Sequence, residues 1–599
     1  MLVLKSLLLF EFICPFLLSL HPCLLYLNKT DHFCLMQKNR QIWYYLAGWL
    51  LLNLLQAFFT EITSDEAYYW MYSQHPAWGY FDHPPMIAIL IRVGYFLFPC
   101  ELGVRLFPCL MGTATIYFIY LLAGKPDNVR LFILMICSII LMHLHLAGFL
   151  AIPDIPMLFF TALFFLIWRR YLDQDRFIWV LLLSLTITAM FYSKYHSILV
   201  IFFTVLANLR LLLRKSFWLI VLFTVILYMP HILWQINHDF ITFQYHLIGR
   251  NDSEVFKQFY DFFLNQIVVT GPLVGVLLLY LSFTRRTTST FERVLKFNLL
   301  GFYIFFMLSS LKDHVEPHWT AAAFIPMIVL AWPGLTGNRQ LKKWFRILAL
   351  ITIPVIAVCR IYLVVDFLPV PVHIQRMFHG KKEWAKQVAH LAGDRPVLFT
   401  NKYQLPSLYT YFTGGFAHTR TNIDYRNNQY DLWNFEEQLC GKEVVYFIQK
   451  DYPGNDTLRT NQGNFKYVID TSFCSFNRVK INILNDSLVF RTDTTALITL
   501  EFINPSGKKI SFANCSHPSS LFNIYFHGKG NAEHSYYLVE DFTFRDIPAG
   551  SSYTTDVLIH TPDSPGKYKL MFGIGSDQDM PGTNGQRRKM LITGNQIIH

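Results

Sequence analysis

The segment Thr63-Ser-Asp-Glu-Ala-Tyr-Tyr-Trp70 sets two carboxylates, Asp65 and Glu66, side by side after an apolar run. A fixed carboxylate can take the proton of an attacking hydroxyl. The plain alternative is a helix cap at Ser64 or Asp65, with the aromatics at the membrane interface. Gly79-Tyr-Phe-Asp-His-Pro-Pro-Met86 adds Tyr80, Asp82 and His83 ahead of a proline break, where a solvated loop corner is the simpler reading. Arg105 opens a further apolar run, as a snorkelling residue would, and Asp154 stands between Pro153 and Pro156 as in a capped turn. Lys194 lies between two short apolar runs, and Lys312-Asp-His-Val-Glu-Pro-His-Trp319 brings Lys312, His314, Glu316 and His318 close in sequence. Cations of this kind can neutralise a leaving phosphate. His314, Glu316 and His318 lack the helical pair spacing of a zinc site, so no metal ligand is assigned, and a divalent metal stays an open alternative.

The elements that must position these groups are membrane helices. The chain has 599 residues, 53% of them hydrophobic and only 15% charged. A bilayer core takes roughly 20 apolar residues as a helix. Such runs occur near residues 42–60, 103–123, 129–150, 155–170, 177–192, 196–212, 216–234, 262–283, 296–311, 320–336 and 344–365, about eleven spans. With residue 40 in the cytoplasm, the alternate loops that hold Arg130, Arg169 to Arg176, Arg210 to Lys215, Arg285 to Lys296 and Arg339 to Arg346 also fall there. All are basic, as the positive-inside rule requires. The opposite loops hold Asp65, Glu66, Asp82, His83, Asp154, Lys194 and Lys312 to His318, which gathers the candidate groups on one outer face. The net charge of +11 is thereby spread among short loops, which speaks against a nucleic-acid partner.

Residues 1–35 form an apolar extension of uncertain role: a signal peptide, an extra span or upstream sequence, with Met36 favoured as the start. Residues 36–365 read as the membrane domain. Residues 366–470 read as an extracytoplasmic α/β domain, with a helix over 378–392 and strands at Val397–Thr400 and Val444–Ile448. Residues 471–599 read as an extracytoplasmic β-sandwich, strand after strand from Val479 to Gly573. One disulfide among Cys440, Cys474 and Cys515 is compatible with that location, and the sequence leaves the pair open.

Asp65-Glu66, then Tyr80-Phe-Asp-His-Pro-Pro85, Val104-Arg-Leu-Phe-Pro108 and Pro153-Asp154 resemble the dolichyl-phosphate-mannose-protein mannosyltransferase superfamily. These are GT-C glycosyltransferases, and the likeness is nearest to the bacterial branch that includes the lipid A aminoarabinose transferase. It covers about residues 40–365. The resemblance implies an inverting transfer from a polyprenyl-phosphate sugar to an extracytoplasmic acceptor: a protein hydroxyl, a lipid A-type glycolipid or a surface glycan. It implies a multi-pass protein of the plasma (inner) membrane. Asp65 takes the place of the family's first-loop acid, as base or acceptor-positioning group, with Glu66 beside it, and Asp154 takes that of the second-loop acid. The aminoarabinose enzyme has a lysine before Pro-Pro, where this chain has His83. A histidine carries full charge there only if the phosphate raises its pKa. Lys194, Arg105 and Lys312 are therefore alternative phosphate cations.

Two other classes compete. A transporter or flippase for a lipid-linked or anionic solute would also use intramembrane charges. Such proteins often show repeated halves or matching broken helices, neither of which this sequence displays. A membrane-anchored binding module would keep its function in residues 478–599.

Overall fold

The computed structural model describes residues 40–243, 255–312, 314–423, 425–433, 435–448, 456–473, 476–512, 521–529, 535–539, 542–575, 582, 584–585 and 588–594. The expectations for residues 1–35 and for Cys474 and Cys515 lie outside these residues. Among the described residues, 40–62 and 72–369 form one compact unit, and 63–71 with 370–594 form a second. Residues 63–71 thus group with the second unit, although the sequence reading placed them within the membrane domain.

The first unit is helical. Among its described residues, six helical segments are long and apolar enough to cross a bilayer: Arg40–Phe59, Glu101–Leu122, Asp154–Asp173, Lys215–Asn237, Pro317–Gly337 and Arg339–Tyr362. A seventh span is available if Lys257–Thr270 and Val274–Thr284 count as one, although they meet at 102°. Gly271, at φ +105°, makes this bend together with Pro272, which cannot continue the helical hydrogen bonding.

The other expected spans also contain helices. Val129–Ser138, Phe177–Ser193 and Ser197–Leu206 are shorter than a bilayer crossing. Thr290–Ser309 carries Glu292, Arg293 and Lys296. By length and composition the chain is a multi-pass membrane protein, with six or seven candidate spans among the described residues. The run expected over 129–150 stops at Ser138 and resumes as a π-helical turn, Met142–Leu146. His143 Nε2 lies 2.9 Å from the Cys137 carbonyl, a side chain inserted into the helical ladder.

The described residues of the second unit form three sheets. β1 (Val397–Thr400), β2 (Ala417–Arg420), β3 (Val444–Phe447), β4 (Asp456–Thr460) and β5 (Gly463–Asp470) form a sheet in the order β2-β1-β3-β5-β4. β1 pairs in parallel with β2 and β3, and the helix Gln404–Thr413 makes the β1-to-β2 connection. The helix Lys381–Ala392 buries Trp384, Ala385 and Val388. β1 reads Val-Leu-Phe-Thr because a central parallel strand is covered on both faces.

Beyond it, β6 (Lys480–Ile483), β8 (Thr495–Ile503) and β11 (Ser552–His560) make a three-stranded sheet in the order β11-β8-β6. β7 (Val489–Arg491), β9 (Leu521–Lys529), β10 (Ser535–Leu538), β12 (Gly566–Gly575) and β13 (Arg588–Thr593) make a five-stranded one, β10-β9-β12-β13-β7. The two share one apolar core. Ala496, Ile498, Leu500 and Phe502 of β8 point into it, and the alternate Leu497 is exposed. That alternation is the period of two of a strand with one buried face.

Candidate active site

Asp154 begins the helix Asp154–Asp173, with Pro153 at its cap and Pro156 in its first turn. A three-residue link joins this helix to Phe177–Ser193, whose C-cap is Lys194. The start of one helix therefore lies beside the end of the next. An anion belongs at a helix N-terminus and a cation at a C-terminus, and the pair obeys both rules. Lys194 Nζ donates to both carboxylate oxygens of Asp154, at 2.8 and 2.9 Å. Both residues are buried, with Asp154 2% exposed.

His318, from the turn Pro317–Ala323, places Nε2 3.8 Å from Asp154 Oδ2. Its ring stacks on His145 at 4.7 Å, with planes 5° apart. The sequence reading found Asp154, Lys194 and His318 but not their convergence. It did not single out His145. The available signal was a second histidine in Met142-His-Leu-His-Leu146, within an otherwise apolar run.

His314 Nε2 lies 3.7 Å from Glu316 Oε1, whereas His318 turns to Asp154. Among the described residues no three His, Cys, Asp or Glu side chains converge as a metal site. Lys312 is exposed.

The loop before the helix Met86–Leu97 is held by its aromatics. Tyr80 stacks on Tyr72 at 4.0 Å, and its hydroxyl donates to the Tyr72 carbonyl at 2.9 Å. Burial pushes the Tyr80 phenol up to about 12. Tyr72 in turn donates to Asp82 Oδ1 at 2.5 Å. The His83 carbonyl accepts from the Tyr80 amide at 3.1 Å, and the His83 side chain is half-buried.

Arg105 is fully buried. Its guanidinium donates to the carbonyls of Ala57, Thr60 and Glu61, at 3.0, 2.6 and 3.0 Å, around the end of the helix Arg40–Phe59. It lies 5.3 Å from the Phe149 ring centroid. Arg360, which the sequence reading passed over, bonds Asn53 Oδ1 at 2.6 Å, Gln56 Oε1 at 2.5 Å and His143 Nδ1 at 3.2 Å. The signal for this network was Asn53 and Gln56 inside the first apolar run.

In the second unit, the helix Ser64–Gln74 starts with a reciprocal cap. The Thr63 amide donates to Glu66 Oε2 at 2.9 Å, and the Glu66 amide donates to Thr63 Oγ1 at 3.3 Å. The cap is thus Thr63 with Glu66, not Ser64 or Asp65. Glu66 is fully buried, whereas Asp65 is exposed and accepts from the Tyr403 hydroxyl at 3.2 Å. Tyr68 stacks on Tyr403 at 4.0 Å, and its hydroxyl accepts from the Gln429 amide at 2.8 Å. The adjacent carboxylates therefore have different tasks: Glu66 closes the helix start, and Asp65 presents a carboxylate at the surface of the unit.

Residues 82–234 match the dolichyl-phosphate-mannose-protein mannosyltransferase family. The lipid A galacturonosyltransferase RgtD of Rhizobium johnstonii is 23% identical over 298 residues, covering 45% of this chain. The chain spans 60% of that relative's length. Crystal structures of ArnT from Cupriavidus metallidurans share the fold, in the apo state with a TM-score of 0.53 and bound to undecaprenyl phosphate with 0.50. Each is 12% identical and covers 71% of this chain and 97% of its own. The chain therefore resembles the dolichyl-phosphate-mannose-protein mannosyltransferase superfamily of GT-C glycosyltransferases, in sequence over residues 82–234 and in fold through ArnT.

Proposed function

We propose that this protein is an inverting glycosyltransferase that moves a sugar from a polyprenyl-phosphate donor to an acceptor outside the cytoplasm. The observation that carries the reading is the buried Asp154–Lys194 pair within the family-matched residues 82–234. A charged pair inside a membrane domain is costly and marks function. In the proposed reaction the acceptor hydroxyl attacks the anomeric carbon from the face opposite the phosphate. The bond between that carbon and the phosphate oxygen breaks, and polyprenyl phosphate leaves with the electron pair. Asp65 receives the hydroxyl proton. His83, Lys194 and Lys312 are the proposed phosphate cations, with Lys194 oriented by Asp154. Arg105, whose guanidinium lies against three carbonyls, is proposed to hold the end of the first span instead.

The undecaprenyl phosphate named with the ArnT structure supports the lipid carrier. The name of RgtD favours a lipid A-type glycolipid over a protein or surface glycan as acceptor. The basic loops support residue 40 in the cytoplasm and residues 366–599 outside, in the plasma (inner) membrane. The test is to delete the protein from its cell and compare lipid-linked sugars and envelope glycans. The reading expects one lipid-linked sugar to accumulate and the same sugar to vanish from one envelope component. Unchanged profiles in both fractions refute it.

A further inference from the structure

The second unit contains a cavity of about 510 Å³. Among the described residues its lining includes three cations, Arg376, Lys381 and Lys402, and no carboxylate. Trp384 and Phe465 supply apolar wall, and Thr460 and Gln462 supply polar groups. The Trp384 ring is 1% exposed, and its Nε1 has no hydrogen-bond partner among the described residues. A buried indole N–H usually finds an acceptor.

The walls are fixed to one another. The hairpin between β4 and β5 turns at Asn461 and Gln462, which reach the chain just before the helix Lys381–Ala392. Asn461 Nδ2 donates to the Gly380 carbonyl at 2.8 Å, and Gln462 Nε2 donates to the His379 carbonyl at 2.7 Å. Arg376 Nε donates to the Asn461 carbonyl at 3.2 Å. Gly463, at φ +130°, lets the hairpin close here, and a Cβ on it would lie 3.4 Å from Arg376 Nη1. Lys381 is the first residue of its helix, so a cation and a helix N-terminus act in the same direction. A preformed, cation-lined cavity with an aromatic wall suits an oxyanion joined to a sugar ring.

We propose that this cavity binds the phosphate of a phosphorylated saccharide. The source is either the phosphorylated headgroup of a glycolipid or a soluble sugar phosphate. The inference goes beyond the transfer reaction, because it assigns a second site whose occupancy is measured without turnover.

The test uses the full chain in phosphatidylcholine nanodiscs, with intrinsic tryptophan fluorescence and calorimetry as readouts. The soluble arm titrates glucose 1-phosphate, with glucose as the neutral control. The lipid arm incorporates a phosphorylated glycolipid, with its dephosphorylated form as control. The variant Arg376→Gln/Lys402→Gln alters two exposed side chains and leaves the buried Lys381 in place. Saturable binding of a phosphorylated probe, weakened about tenfold or more in the variant, is expected from the loss of charge-assisted hydrogen bonds. Binding in one arm only identifies the source. Absence of saturable binding in both arms, equal binding of the neutral controls, or unchanged affinity in the variant overturns the proposal.

Discussion

Lys194→Met removes the cation from a buried carboxylate while keeping most of the side-chain volume. At 2.8 Å and an effective dielectric constant of about 20, the attraction in the pair is roughly 6 kcal/mol. Desolvation of both ions offsets much of it, so the pair adds little net stability over apolar residues. Breaking it from one side is different, because Asp154 then stays buried without its lysine, beside His318 at 3.8 Å and the His145 ring stacked on it. The expected loss is about 3–5 kcal/mol for Lys194→Met. Asp154→Leu/Lys194→Met removes both charges and is expected to lie within about 2 kcal/mol of wild type. Unfolding of each variant by SDS titration in mixed micelles gives the four corners of the cycle. The double variant should also be folded and inactive, which separates scaffold from chemistry. A single variant as stable as the double variant would refute the buried-pair reasoning. Wild-type transfer by the double variant would remove both residues from the site.

Arg105→Ala leaves the carbonyls of Ala57, Thr60 and Glu61 without their donor, and should cost roughly 3 kcal/mol or more in the same titration. Arg105→Lys should recover part of that, whereas a stable Arg105→Ala protein with weakened donor binding would return Arg105 to the phosphate. His418, 3% exposed beside Tyr430 and Phe435, is pushed down to about 3 by burial. Its folded pKa lies below its unfolded one, near 6.5, so the stability it supports is present above pH 6.5 and is lost as pH falls toward 3. At pH 5 the loss is about 2 kcal/mol. After correction for the intrinsic exchange rate, the protection factors of β2 amides in the full chain should fall roughly thirtyfold between pH 7 and 5, and His418→Phe should abolish that dependence.

The helices were legible because each expected run is apolar, and a bilayer needs little else. Their lengths were less so. The break after Ser138 comes from His143 bonding backward to Cys137, which no hydropathy window detects. β1, β8 and β11 were legible from buried runs or alternation. β4 (Asp-Thr-Leu-Arg-Thr) was not, because it is an edge strand whose side chains are largely exposed. Asp154 and Lys194 were legible as charges in costly places, but their pairing across 40 residues is a matter of helix packing. The assignment of the cap to Thr63 and Glu66 needed the backbone geometry, since Ser64 and Asp65 are equally good capping types.

The central claim is a transfer from polyprenyl phosphate that depends on Asp65. Because Glu66 already closes the helix start, Asp65→Asn should leave the fold intact and remove only the base. General-base catalysis is worth typically about 10²–10⁴-fold. The decisive measurement is release of undecaprenyl phosphate from a panel of undecaprenyl-phosphate sugars, by wild-type protein and by Asp65→Asn at equal folded amounts in nanodiscs with a lipid A-type acceptor. The account predicts release from one sugar by wild type and at least a hundredfold less by Asp65→Asn. Equal release by the two proteins, or none by wild type from any sugar, contradicts it.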